Sequence, residues 1–244
     1  VSVPAAVSPG TDAETLAADR ELIAAVHAAL AEHAEPERAP AMQTYMRSSM
    51  PYLGLRAPVL ARALRPVLAE RRLPDAEVWA ATARALWREA AYREERYAAI
   101  ALTGHRHYRA FQTPAALPLY EEMIVTGRWW DVVDEVAIRR VGPILRAYPA
   151  ELTPVMLRWS RDEDLWRRRT SIICQIAFRD EIDLDLLRAA IDANLAEKDF
   201  FVRKAIGWAL RQHARIDPDE VRRFVAARAD RMSPLSRREA LKHL

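Results

Sequence analysis

Residues 164–173, DLWRRRTSII, and residues 199–208, DFFVRKAIGW, align at an offset of 35. Each begins with an aspartate suited to cap a helix, continues with two large apolar residues, then a basic pair, then small and aliphatic positions. Another 35 residues toward the N-terminus lies Trp129, inside GRWWDVVDE (127–135), where Val133-Asp134 replaces the basic pair. This is the pattern of the second helix in HEAT-type helical pairs, units that cannot bury their apolar faces alone and therefore stack on their neighbours. The repeat predicts an all-α fold, a HEAT-like helical-repeat superhelix (α-solenoid) in which equivalent positions of successive repeats line up along a concave face.

The rest of the chain agrees. Apolar residues recur at three and four in Leu22, Ile23, Val26 and Leu30, in Val78, Ala81 and Leu86, and in Val221, Phe224 and Val225. Proline beside a capping residue punctuates these runs at Leu73-Pro74-Asp75, Thr113-Pro114, Thr153-Pro154, Asp217-Pro218-Asp219 and Ser233-Pro234. Strand patterns are nearly absent, so about a dozen short helices are expected from roughly residue 15 onward. Residues 1–18 read as a disordered lead, with neither the basic nor the apolar region of a secretion signal. Residues 19–244 are expected to form one domain. No apolar run approaches the roughly 18 residues of a membrane span, and a cytoplasmic location is expected.

Several kinds of chemistry are poorly served. Six scattered glycines among 244 residues cannot build a phosphate-cradling loop or a dinucleotide fingerprint. Cys174 is alone, and His105 and His107 have no third ligand near them in sequence, so neither a metal nor a cofactor is expected. The net charge is +3; with only Lys198, Lys204 and Lys242 as lysines, 34 of the 37 cations are arginine. A G+C-rich genome would produce the same bias, so arginine content alone does not indicate nucleic acid.

Position is more informative than content. Asp134, Arg169 and Lys204 are 35 apart, Trp130 lies four residues before Asp134, and Trp208 four after Lys204. Residues four apart share a helix face, so the repeat predicts one ridge carrying Trp130, Asp134, Arg169, Lys204 and Trp208. Taken singly, each has an ordinary structural explanation: a core tryptophan, a solvated aspartate, an arginine tying neighbouring repeats. Together they suit a polyanion in which positive charge develops at one carbon. Cations hold phosphates, aromatic faces pack against deoxyribose, and a carboxylate stabilises an oxocarbenium-like sugar while orienting water. The pattern points to a DNA-directed hydrolase.

Five segments also resemble one family, the HEAT-repeat DNA alkylation repair glycosylases (the AlkD-like family): MQTYMRSSMPYLGLRAP (42–58), LYEEMIVTGRWWDVVD (119–134), LWRRRTSII (165–173), FFVRKAIGWALRQHA (200–214) and PLSRREALKHL (234–244). The resemblance runs from about residue 20 to the end. It implies that Asp134 is the catalytic carboxylate, that Trp130 and Trp208 contact the sugar, that Arg169 is the basic residue beside them, and that Tyr45 closes a third side of the cleft. Arg168, Arg203 and Lys204 are then expected on the DNA backbone. It further implies a cofactor-free monomer acting on double-stranded DNA, gripping the backbone around cationic N3- or N7-alkylated purines without enclosing the base. A non-catalytic HEAT scaffold, or a protein that binds DNA structure, is the alternative.

Overall fold

The computed structural model describes residues 17–244, so the expected lead lies outside the described residues except for its last two positions. Among the described residues there are fourteen α-helices and no strand, as the periodicity requires. The chain divides into two compact units between Phe111 and Gln112. No helix of the described residues is long and apolar enough to cross a membrane.

The first unit contains α1 (Arg20–Glu32), α2 (Ala39–Met46), α3 (Ala57–Glu70), α4 (Ala76–Arg88) and α5 (Arg93–Thr103), and closes on a 3-10 segment, Arg106–Phe111. Asp19 starts α1 by accepting the amide of Leu22, and Leu22, Ile23, Val26 and Leu30 are buried, as their spacing demands. In α4 the buried stripe is wider than Val78, Ala81 and Leu86 suggest. Trp79 and Trp87 are buried and Val78 only half-buried, because α4 packs on both α1 and α5. Helix α2 has no buried residue at all. Its position depends on the segment that follows it, where the buried Glu94 carboxylate accepts the amides of Leu53, Gly54 and Leu55 at 3.0, 2.9 and 3.0 Å. Gly54 has φ +92°, and a Cβ there would sit 2.1 Å from the Glu35 carbonyl oxygen, so only glycine lets the segment lie this close to the start of α2.

The second unit is built of helical pairs: α6 (Leu117–Gly127) with α7 (Trp130–Val136), α9 (Pro149–Trp159) with α10 (Leu165–Ile173), α11 (Leu184–Asp192) with α12 (Phe200–His213), and α13 (Pro218–Ala227) with α14 (Pro234–Ala240). A π-helical turn, Ala137–Val141, carries α7 into α8 (Gly142–Ala147). The second helices begin at residues 130, 165, 200 and 234, so the 35-residue repeat is real and a fourth copy closes it. Asp164 caps α10 through the amides of Trp166 and Arg167, and Asp199 caps α12 through those of Phe201 and Val202. The fourth copy uses Ser233, which has neither an aspartate nor the aromatic pair to betray it. One punctuation mark is misplaced: Thr153-Pro154 starts no helix. Helix α9 begins at Pro149, and Pro154 sits inside it, where its ring forgoes only the bond to Ala150 in the first turn.

The glycine of KAIGW is explained by packing. A Cβ on Gly207 would lie 2.4 Å from Cβ of Glu239 and 2.9 Å from the Ser236 carbonyl oxygen, so α14 seats on α12 at a distance only glycine allows.

Candidate active site

Asp134 and Arg169 occupy equivalent positions in adjacent repeats, and the fold joins them. The Arg169 guanidinium donates from Nε to Oδ1 and from Nη2 to Oδ2 of Asp134, both at 2.7 Å, a bidentate pair. Its remaining arm donates to the carbonyl of Phe201 on α12. Arg169 is 5% exposed, while the Asp134 side chain retains 16%. The cation therefore lies behind the carboxylate, and the carboxylate is the member nearer solvent. Burial raises the Asp134 pKa above the ordinary carboxylate value; the Arg169 hydrogen bonds and charge oppose the rise without cancelling it, and the nearby Asp131 charge adds to it.

The two adjacent tryptophans serve different sides because Trp129 is still extended (φ −151°, ψ 149°) while Trp130 begins α7. Trp129, the residue before the helix, turns inward to Phe201 (ring centroids 5.1 Å) and Trp166 (6.4 Å), and Phe201 and Trp166 are themselves 5.1 Å apart. This cluster sets the floor beneath the Asp134–Arg169 pair. Trp130 turns outward and is 38% exposed, a large apolar surface left open beside a carboxylate.

Helix α12 carries the rest of the expected ridge. Phe201, Lys204 and Trp208 are three and four residues apart and share one face, and the Phe201 carbonyl fixes the start of that face to Arg169. Trp208 is half-buried against the aliphatic core of the second unit. The Lys204 ammonium meets Glu239 Oε1 at 3.1 Å, and Glu239 also binds Arg211 at 2.6 Å. These contacts, the Lys204 hydrogen bond first among them, hold the Glu239 carboxyl below its usual range. Glu239 lies 35 residues after Lys204, so the repeat alternates Asp134–Arg169 and Lys204–Glu239. Glu239 was missed because PLSRREALKHL does not look like its predecessors, although the 35-residue spacing would have reached it.

The other expected cations make contacts within the protein. Arg168 donates to the carbonyls of Asp162 (2.7 Å) and Glu163 (2.9 Å) and to the Glu197 carboxylate (2.7 Å). Arg203 donates from Nε to the Glu197 carbonyl at 2.8 Å. Both tie the turns of neighbouring repeats. Tyr45 belongs to the first unit, on the core-free helix α2, and is 78% exposed.

A search of the curated proteins found no match. A solved structure of a predicted DNA alkylation repair enzyme from Enterococcus faecalis is similar at 26% identity, over 86% of this chain and 96% of that one, with a TM-score of 0.78. The family model described as DNA alkylation repair enzyme matches residues 26–244. With all four second helices and the Asp134–Arg169 pair inside the matched region, the chain belongs to the DNA alkylation repair enzyme family.

Proposed function

We propose that this protein is a DNA glycosylase that hydrolyses the N-glycosidic bond of cationic N3- and N7-alkylated purines in duplex DNA. The observation that carries the reading is the Asp134 carboxylate, braced from behind by a buried arginine and flanked by an open indole face. In a cationic alkylpurine the base is already a good leaving group. The enzyme therefore has to meet the positive charge that develops at the sugar as the bond lengthens, and a fixed carboxylate in a partly dry site does this without reorganising.

Trp130 and, two repeats along on α12, Trp208 would shield the sugar and limit bulk water, leaving one water to be oriented by Asp134. Arg169 keeps the carboxylate rigid and stops its elevated pKa from rising further. Tyr45, in the first unit, is assigned to DNA contact on its exposure and on the resemblance of its motif. The reaction needs no cofactor in this reading, and the protein acts as a monomer in the cytoplasm. Contacts to sugar and backbone alone place no limit on adduct size, unlike an enzyme that encloses the extruded base. The test is to incubate the protein with methylated duplex and measure free N7-methylguanine. Duplex binding without base release would favour the non-catalytic scaffold.

A further inference from the structure

All three non-glycine residues with positive φ among the described residues are arginines: Arg47 (φ 50°), Arg128 (φ 45°) and Arg179 (φ 58°). Arg47 and Arg128 are in the left-handed helical region immediately after α2 and α6, with ψ 39° and 36°. That position at a helix end usually takes glycine or asparagine, because a longer side chain crowds the backbone there. The backbone task needs only an amide: Arg128 N–H closes the last turn of α6 on the Ile124 carbonyl at 3.2 Å, which glycine would do without strain.

The arginine side chains at these two positions do nothing for the fold. Both are exposed, and neither has an ion pair or side-chain hydrogen bond among the described residues. This sets them apart from Arg168, Arg169 and Arg203, whose guanidinium groups are used inside the repeats. Each also stands two residues from an exposed aromatic residue of its own unit. Arg128 precedes Trp130, and Arg47 follows Tyr45. Strain together with an exposed aromatic two residues away, a combination Arg179 lacks, points to a use for these two side chains outside the protein.

We propose that Arg128, and within the first unit Arg47, bind backbone phosphates of duplex DNA next to the nucleotide that the neighbouring aromatic contacts. This rests on the reading that DNA lies against Trp130 and Tyr45. A left-handed helix end fixes the direction in which the Cα–Cβ bond leaves the backbone, and the exposed stem carries the cation into solvent, where a phosphate can meet it. The role is charge without sequence: each arginine displaces condensed counterions, and damaged and undamaged duplex gain alike. Arg179 has the same backbone strain but lies far in sequence from either aromatic, beside Asp180 and Glu181, and takes no part.

The test compares Arg128→Gly, Arg47→Gly, Arg128→Lys and the control Arg179→Gly in two measurements, thermal unfolding and the salt dependence of binding to an unmodified duplex. Both glycine variants at the site are expected to unfold at or above the wild-type temperature, since glycine relieves the strain. Each should reduce the magnitude of the log-log salt slope by about 0.9, while Arg128→Lys and Arg179→Gly keep it. An unchanged slope in Arg128→Gly and Arg47→Gly overturns the proposal, as does an equal loss in Arg179→Gly, which would reduce the effect to net charge. Because neither measurement depends on base release, a wild-type protein that excises nothing in the separate release assay while the slopes change as expected defeats the glycosylase reading and leaves this inference standing. Excision with unchanged slopes does the reverse.

Discussion

Replacing Asp134 by asparagine keeps the shape of the side chain and removes the charge that is meant to meet the sugar cation. The bidentate contact places the Arg169 guanidinium about 4 Å behind the carboxylate. A sugar carbon in van der Waals contact would be about 3.5 Å from the carboxylate and about 7.5 Å from the guanidinium. At an effective dielectric constant of about 20, attraction to Asp134 is worth about 4.7 kcal/mol and repulsion by Arg169 about 2.2, a net gain of about 2.5 kcal/mol. Asparagine removes the attraction and leaves the repulsion. The full swing of about 4.7 kcal/mol corresponds to about 3 × 10³ in rate, an upper limit because the site is open to water. Losses for a single electrostatic stabiliser run about 10² to 10³, and a fall in that range is expected. The assay is single-turnover release of N7-methylguanine with enzyme in excess, alongside duplex affinity and thermal unfolding of the variant. Excision within threefold of wild type by a folded, DNA-binding Asp134→Asn protein would refute the reasoning.

Excision should fall on acidification, with a midpoint above the ordinary carboxylate value, because Asp134 must be ionised to act and burial raises its pKa. Arg169→Gln removes the two influences that hold that pKa down, so the acidic limb should move to still higher pH; a limb that does not move would show that Asp134 is not the titrating group. The sign for stability is opposite. A carboxylate whose pKa is raised by folding costs stability when ionised, above its native pKa, and costs nothing below its unfolded value, so on acidification Asp134 adds stability over the same range in which activity is lost. Gly207→Ala should destabilise the second unit by about 1–3 kcal/mol, since its Cβ meets Glu239 and Ser236 at distances the helices cannot absorb. Thermal unfolding checks this, and an unchanged Tm would mean that α14 can slide.

Much of this architecture was legible in the sequence because a stacked repeat writes its periodicity into the chain. The 35-residue offset locates three of the four second helices and puts Asp134 on one ridge with Arg169. What it could not convey was depth. Arg168, Arg169 and Lys204 are all cations at repeat positions, yet one is spent on turns, one is buried behind a carboxylate, and one is shared with Glu239. Side-chain reach and the closeness of the next repeat decide among these outcomes, and neither is a property of spacing. Arg169 was expected to meet phosphate as well as stand by the site. At 5% exposure it offers little surface, and its guanidinium is paired with Asp134. Arg47 and Arg128 were invisible for the opposite reason: nothing in an arginine-rich composition marks two of them as left-handed.

The most direct test is to compare release of N3-methyladenine, a bulky N3-alkyladenine and uracil from matched duplexes by the wild-type protein. A carboxylate that stabilises the sugar, with no demand on the base beyond its positive charge, predicts release of both adenine adducts and none of uracil, whose departure needs activation this site does not supply. Efficient uracil release, or removal of the methyl adduct with rejection of the bulky one, would contradict the account and require a closed base pocket.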